Sequence, residues 1–189
     1  MPQAKTLKES EFKKVLLIIS TQKHAHRNRI AFLLSFWSGM RVGEIASLKI
    51  NDVIENDGAV KSEIILKPNQ TKGNHSRKVM IAEKLRKELS NYIKSINGKD
   101  VNQPLIYSQR NRNGFNSLTL SQEFKRIYAM SNIDGATSHS GRRTFITNLA
   151  NRGVGVRVLQ ALAGHRSIAT TQIYIDVNDD ILRTAVDLI

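Results

Sequence analysis

The stretch that decides the fold and the chemistry of this chain is residues 137–176, TSHSGRRTFITNLANRGVGVRVLQALAGHRSIATTQIYID. His139 and Arg142 are three residues apart, and residues at this spacing share one face of a helix. His165 and Tyr174 follow after an amphipathic segment and a turn rich in serine and threonine. Arginine can bind two phosphate oxygens, histidine can transfer protons and tyrosine can attack phosphorus. The stretch is therefore suited to phosphate chemistry.

Two upstream segments add charged side chains to this set. Residues 38–48, SGMRVGEIASL, carry Arg41 and Glu44, which are again three residues apart. A short helix is expected to start directly after Arg41, which would then lie where the helix dipole favours a bound phosphate. On local grounds, the alternative is a surface arginine paired with Glu44. Residues 71–74, TKGN, place Lys72 in a turn between two strands, where a lysine is usually only solvated.

Taken in chain order, these residues resemble the catalytic set of the tyrosine recombinases, the family of the phage integrases and Xer-type recombinases. The resemblance extends from about Thr6 to Val186 and includes GMRVGE at 39–44 and AGHRSIATTQIY at 163–174. It implies a catalytic domain that recombines DNA at specific sites. The catalytic residues that it implies are Arg41, Lys72, His139, Arg142, His165 and the nucleophile Tyr174, with Glu44 in a supporting role.

The resemblance assigns the binding of the phosphate to three of these side chains. Arg41 and Arg142 would hold its non-bridging oxygens, because a guanidinium offers paired planar donors. His165 would donate a further hydrogen bond to the same phosphate. Glu44 would orient Arg41 or His139 without touching DNA.

The resemblance also assigns the covalent step and the proton transfers. Tyr174 would form a 3′-phosphotyrosyl link, which conserves the energy of the phosphodiester bond, so rejoining needs no ATP. Its phenol has a reference pKa of ~10, and His139 would accept its proton. Lys72 would protonate the departing 5′ oxygen. The sequence has neither a GxxxxGK phosphate loop nor an evident carboxylate cluster for metal ions, so no metal or other cofactor is expected.

The chain departs from the family pattern in two places. The family usually has a leucine inside the His-x-x-Arg motif, whereas this chain has Gly141 there, which predicts looser packing of that turn. The N-terminal core-binding domain that usually precedes the catalytic domain is expected to be absent. Residues 1–189 are therefore predicted to form a single catalytic domain that binds DNA weakly as a monomer.

Composition indicates one domain and a polyanionic partner. The chain has 189 residues, 40% of them hydrophobic, which is enough for one substantial core. Its formal net charge of +13 is spread along the sequence, and this favours nucleic acid as the partner. With no cysteines, it has neither a disulfide framework nor a thiolate metal site, and its histidines lack zinc-ligand spacing. No apolar segment approaches ~18 residues, so we expect no membrane span and a cytoplasmic protein of a prokaryote, bound to the nucleoid when it acts.

Hydrophobic periodicity predicts a mainly α fold with a small antiparallel β-sheet, an α+β class. Alternating apolar residues between 59 and 81 predict two strands with the Lys72 turn between them. Thr6 and Glu9 have the spacing of a capping box, which predicts that the first helix begins there. The aromatic residues that fall on helical apolar stripes, and are expected in the core, are Trp37, Tyr92 and Tyr128.

Further basic side chains and the C-terminal segment are candidates for intermolecular contacts. The arginines expected to contact DNA outside the catalytic set are Arg77, Arg110, Arg112 and Arg143. Residues 178–189 predict a short helix with an apolar stripe formed by Ile181, Leu182, Ala185, Val186 and Ile189. A helix this short must dock to be stable. It would pack on its own core or, as the resemblance implies, on a neighbouring subunit.

Three functions follow from these features. The first is a site-specific recombinase or integrase of a mobile element, acting on double-stranded DNA with paired recombination sites. For this function the resemblance implies a monomer in free solution, a homotetramer in the synaptic complex and an accessory directionality factor. The alternatives are a type IB-like topoisomerase, which needs no partner site, and an inactive regulator that binds DNA without a covalent adduct. The complete catalytic set favours the first.

Overall fold

The computed structural model describes residues 4–96, 100–108 and 113–175, together with Arg183, Val186 and Asp187. Over these residues the fold is mainly helical with one two-stranded antiparallel sheet, as predicted. The helices are α1 (Glu9–Ser20), α2 (Ala25–Ser38), α3 (Val42–Ser47), α4 (Ile50–Val53), α5 (Glu83–Ser95), α6 (Ser117–Met130), α7 (Ser140–Ala150), α8 (Val156–Ala163) and α9 (Ile168–Gln172). The strands are β1 (Glu63–Leu66) and β2 (Arg77–Met80), and a 3-10 turn covers Pro68–Gln70.

Helix α2 lies at the centre of the molecule and contacts α1, α3, α5 and α7. It is buried along most of its length, from Arg27 to Ser38. The helix ends at Gly39, whose φ of 64° is left-handed, so the chain turns sharply into α3. A Cβ on Gly39 would also lie 2.5 Å from the ring of Phe145 on α7. This end of α2 is therefore pressed against α7, which brings two parts of the predicted catalytic set together.

The two strands form the hairpin that the alternating pattern predicted. Ile64 pairs with Val79 in the antiparallel register, and both side chains are buried. Lys72 lies in the connection between the strands. The inner face of the hairpin packs on α4 and α8, which places the turn beside the C-terminal part of the described chain. The predicted core aromatics also lie inside, with Tyr92 and Tyr128 buried and Trp37 partly buried against the core.

The start of the first helix differs from the prediction. Helix α1 begins at Glu9 with Lys8 as its N-cap, and the Lys8 amide donates to the Glu11 carboxylate at 2.9 Å. A capping box at Thr6 and Glu9 is therefore wrong. The reason is tertiary: Leu7 is buried and its amide donates to the Thr144 hydroxyl on α7 at 2.9 Å, which ties residue 7 to a distant helix before α1 can start.

The predicted loose packing at Gly141 is also wrong. Gly141 is buried in α7, and a Cβ there would lie 2.4 Å from the Ser35 hydroxyl on α2. Because glycine has no side chain, the two helix backbones can approach closely at this point. The glycine therefore tightens the α2–α7 contact directly beside Arg142.

The remaining predictions concern two arginines, the C-terminal segment, membrane spans and metal sites. Arg110 and Arg112 lie outside the described residues, as does most of the predicted helix over 178–189. In the part of the chain that the structure describes, no helix is both long and apolar enough to cross a membrane. Within the same residues, no three His, Cys, Asp or Glu side chains are grouped so that they could hold a metal ion.

Candidate active site

Arg41 lies at the N terminus of α3, where the sequence placed it. Its amide donates to one oxygen of the Glu44 carboxylate at 2.8 Å, and its Nη1 donates to the other at 2.9 Å. The Glu44 side chain is 1% exposed, whereas that of Arg41 is 29% exposed. Arg41 Nη2 also points to the carbonyl oxygen of Gly164, at 3.4 Å. Glu44 therefore fixes an arginine whose other end faces the segment that carries His165.

Arg142 is almost completely buried and is held by the ends of two helices. Its Nη1 donates to the carbonyl of Gly39, directly after α2, at 2.7 Å. Its Nη2 donates to the carbonyl of Ala163, the last residue of α8, at 2.6 Å. Carbonyls at helix C termini carry partial negative charge, so this position favours a cation. The two bonds fix the plane of the guanidinium before any ligand is present.

His139 is the N-cap residue of α7, one helical turn before Arg142. Its ring is exposed on one side, and partial burial together with the positive charges of Arg142, Arg41 and Lys72 lowers its pKa. These interactions show that His139 lies among the predicted cations. A histidine with a lowered pKa is neutral at pH 7 and can therefore accept a proton.

His165 and Tyr174 form one unit at the other side of the site. The two rings stack with their centroids 5.8 Å apart and their planes inclined by 17°. His165 Nδ1 lies 2.9 Å from the hydroxyl of Thr171, and the Tyr174 amide donates to the Thr171 carbonyl at 3.0 Å. Burial, with the positive charges of Arg142 and other cations, lowers the pKa of His165 to about 4. Thr171, a fully buried polar residue between them, was not predicted from the sequence.

Arg143 was expected to contact the DNA backbone, and the structure places it beside the tyrosine. Its guanidinium carbon lies 5.5 Å from the centroid of the Tyr174 ring, within the range of a cation–π contact. Tyr174 also acts electrostatically on Arg142. The phenol therefore lies close to two positively charged guanidiniums.

Lys72 is exposed in the hairpin turn and lines a cleft that it shares with Arg41 and His165. The cleft has a volume of about 680 Å³. The residues that line it from both sides include Arg41, Lys72, Arg77, Gly164, His165 and Thr170. The hairpin and the turn after α8 thus enclose one space, and Lys72 stands at its rim.

Arg77, which was predicted to contact DNA, is largely buried at the site. Its side chain is only 9% exposed, and its Nε lies 3.4 Å from the Glu44 carboxylate. Its Nη1 donates to the carbonyls of Leu162, at 3.2 Å, and Ala163. A guanidinium in this position belongs to the interior of the site. The period of a strand could have indicated it, because Arg77 and the buried Val79 are two residues apart and so share the inner face of β2.

The site carries an excess of buried positive charge. Among the described residues, Arg41 and Arg77 form ion pairs with the Glu44 carboxylate, and Arg142 interacts with it electrostatically, so three guanidiniums share this carboxylate. Burial and the charges of Arg41 and Arg77 lower the pKa of Arg142 to about 9. An anion that enters the cleft would relieve this repulsion, and a phosphate offers oxygens that match paired guanidinium donors. The arrangement can therefore bind a phosphodiester with a tyrosine next to it.

Comparison with known proteins gives an independent result. The family model described as the phage integrase family matches residues 5–180. Tyrosine recombinase XerA from Pyrococcus horikoshii is 32% identical over 185 residues, which cover 97% of this chain and 60% of the relative. The chain therefore spans about 60% of the length of the first curated relatives that it matches.

Solved structures agree with this match. A crystal structure of XerA recombinase superposes with a TM-score of 0.76 at 30% identity and covers 100% of this chain and 63% of its own. XerH site-specific recombinase bound to its difH substrate, in a pre-cleavage complex, gives a TM-score of 0.67 at 25% identity, covering 96% of this chain and 53% of its own. The helical fold with its small sheet is thus the fold of these recombinases.

Proposed function

The chain belongs to the phage integrase family, and we propose that it cuts and rejoins DNA strands through a 3′-phosphotyrosyl intermediate on Tyr174. The observation that carries this proposal is the buried excess of positive charge next to the stacked pair of His165 and Tyr174. A DNA phosphodiester supplies the missing anion and presents phosphorus to the phenol. The reaction is a transesterification, in which one phosphate ester bond forms as another breaks.

In this proposal the phosphate is bound by groups that are already in place. Arg41 and Arg142 donate to its non-bridging oxygens, and Glu44 and the helix carbonyls hold the two guanidiniums. Preorganised donors stabilise the charge that develops in the transition state without having to reorient. This accounts for the burial of Arg142, which would be unnecessary for a simple contact to the DNA backbone.

His165 adds a donor whose tautomer is set by its neighbour. With its pKa at about 4, His165 is neutral near pH 7 and carries a single ring proton. When Thr171 donates its hydroxyl proton to Nδ1, the ring proton lies on Nε2. Nε2 is then the atom that donates to the phosphate. Thr171 therefore has a positioning role that follows from its burial between His165 and Tyr174.

Tyr174 and the leaving group require two further proton transfers. In this proposal His139, whose pKa is lowered, accepts the proton that Tyr174 loses as it attacks phosphorus. Lys72 protonates the 5′ oxygen as the strand departs. An exposed lysine on a turn suits this role, since its flexible stem lets the ammonium follow the oxygen.

The proposed substrate is double-stranded DNA with paired recombination sites, and residues 1–189 act as one catalytic domain. The net charge of +13 supports this substrate, and so does the relative XerH, whose structure holds its difH substrate. We further propose a monomer in free solution, a homotetramer in the synaptic complex, an accessory directionality factor and action in the prokaryotic cytoplasm. The resemblance to the family supports these features.

The test is covalent capture on nicked suicide substrates that carry candidate repeats, read on a denaturing gel. We expect a protein–DNA adduct that depends on the site sequence. Relaxation of a plasmid without any repeat would instead identify a type IB-like topoisomerase. Sequence-specific binding without any adduct would identify an inactive regulator.

A further inference from the structure

Two neighbouring basic residues on β2 point in opposite directions. The side chain of Arg77 is 9% exposed and lies inside the site, whereas that of Lys78 is 58% exposed and pairs with Glu63 at 3.0 Å. Successive side chains of a strand alternate between its two faces, which explains the difference. Lys78 is therefore a natural control for any substitution of Arg77.

Arg77 contacts acceptors that also hold Arg41 and Arg142, the two arginines predicted to bind the phosphate. Its Nε lies 3.4 Å from Glu44 Oε1, the same oxygen that accepts from Arg41 at 2.9 Å. Its Nη1 donates to the Ala163 carbonyl, which also accepts from Arg142 Nη2 at 2.6 Å. Arg77 thus contacts one acceptor of Arg41 and one acceptor of Arg142, although it is not one of the two phosphate-binding arginines.

The backbone next to His165 leaves space for the Arg77 guanidinium. Gly164 has a φ of +62°, and a Cβ at this position would lie 2.6 Å from Arg77 Nη1. Glycine both permits the left-handed turn and leaves room for the guanidinium. Since His165 follows directly, the contact of Arg77 with this turn fixes the backbone that presents the imidazole.

Part of the Arg77 side chain does not stabilise the fold. Its Nε and Nη2 are buried without a hydrogen-bond partner among the described residues. Unsatisfied buried donors destabilise a fold, and apolar residues often replace buried ion pairs without loss of stability. A side chain that keeps unsatisfied buried donors is expected at a functional site.

We propose that Arg77 is a positioning residue, which holds Arg41, Arg142 and the His165 turn in the geometry that binds the phosphate. It acts through Glu44 and the Ala163 carbonyl and does not touch DNA. The inference rests on the proposed cleavage reaction. Although Arg77 shares the hairpin with Lys72, its effect is on the clamp and not on the protonation of the leaving group.

The experiment measures single-turnover cleavage of suicide substrates at saturating protein, with the ordinary 5′ oxygen or with sulfur at the bridging 5′ position. In Arg77→Met the carboxylate of Glu44 keeps its pair with Arg41, so the variant should fold with an unchanged or higher Tm. We expect its cleavage to slow by about 10²-fold on both substrates, as for other displacements of a reacting group, with unchanged DNA affinity. Arg77→Lys should recover only part of the rate, and Lys78→Ala should cleave like the wild type.

Each other result would overturn the inference. If sulfur selectively restored the rate, Arg77 would act through Lys72. Weaker DNA binding would show that Arg77 contacts DNA. A rate loss equal to the unfolded fraction would show that its role is structural. A wild type that forms no adduct refutes the proposed reaction instead. In that case NMR still decides, because Arg77→Lys keeps the positive charge but loses the planar contacts, and should shift the ring signals of His165, whereas Lys78→Ala should not. Unchanged His165 signals in Arg77→Lys would contradict the positioning role.

Discussion

The two sides of the candidate active site are built in opposite ways. On one side, Arg142 is 5% exposed and donates from both amino groups to carbonyls at the ends of α2 and α8. On the other side, Lys72 is exposed on the turn of a two-stranded sheet. Packing fixes the first group in the free protein. We expect the second to take its final position when DNA binds.

This difference separates two tasks of the proposed reaction. Binding the phosphate demands donors that do not reorient, because reorganisation would reduce the stabilisation of the transition state. Protonating the leaving oxygen demands a group that can move with it. Substitutions on the rigid side should therefore slow cleavage whatever the leaving group is, and substitutions on the mobile side should depend on it.

Tyr174→Phe should have the largest effect, because it abolishes the cleavage step that both sides of the site serve. The variant loses the nucleophilic oxygen but keeps the ring that stacks on His165. We expect no detectable adduct on suicide substrates and nearly unchanged DNA affinity in a gel-shift assay. An adduct formed by the phenylalanine variant would show that another residue is the nucleophile.

Lys72→Ala should slow cleavage by about 10²–10⁴-fold, the usual range for loss of a general acid. A substrate with sulfur at the bridging 5′ position should restore much of the rate, because sulfur departs without a proton. Lys78→Ala, which removes another exposed lysine of the hairpin, serves as the control and should cleave normally. If sulfur does not rescue selectively, Lys72 is only an electrostatic contact.

Arg142→Ala should slow cleavage by about 10²–10³-fold, as when a preorganised donor is removed. Unlike Lys72→Ala, it should gain no selective rescue from the sulfur substrate. Arg142→Lys should recover little, since one ammonium cannot reproduce the planar fork that reaches Gly39 and Ala163. Arg126→Ala removes an exposed arginine paired with Glu123 and is the control for charge. A near-normal rate in Arg142→Ala would refute the proposal that Arg142 is a fixed donor to the phosphate.

The smallest effect concerns the pH dependence of stability on the rigid side. The pKa of His165 is about 4 in the folded protein, against an ordinary value of 6.5, so the unfolded chain binds this proton more readily. Stability should therefore be fully present above pH 6.5 and should fall as the pH drops towards 4. In His165→Gln, Tm should decline less steeply over this range, whereas Tyr174→Phe, which keeps the stacked ring, should follow the wild type. Parallel declines in His165→Gln and the wild type would contradict the prediction.

Local sequence patterns were sufficient for features that depend on neighbouring residues. The helix after Arg41 and the hairpin around Lys72 both follow from turn and helix-end chemistry. They were predicted because a few adjacent residues determine the backbone there. The same kind of evidence failed at Thr6, where a contact of Leu7 with Thr144 decides where α1 begins.

By itself, the sequence determined the order and the chemical types of the candidate catalytic residues, and with them the family. Only the tertiary structure decided which of the basic residues are buried. Arg77 and Arg143 were both expected to bind DNA, and the fold encloses the first between Glu44 and α8 and sets the second over Tyr174. Likewise, Gly141 was expected to loosen the site, and it instead brings α7 against Ser35. The physical reason is that burial depends on which distant segment covers a side chain, and that contact is formed only when the helices pack.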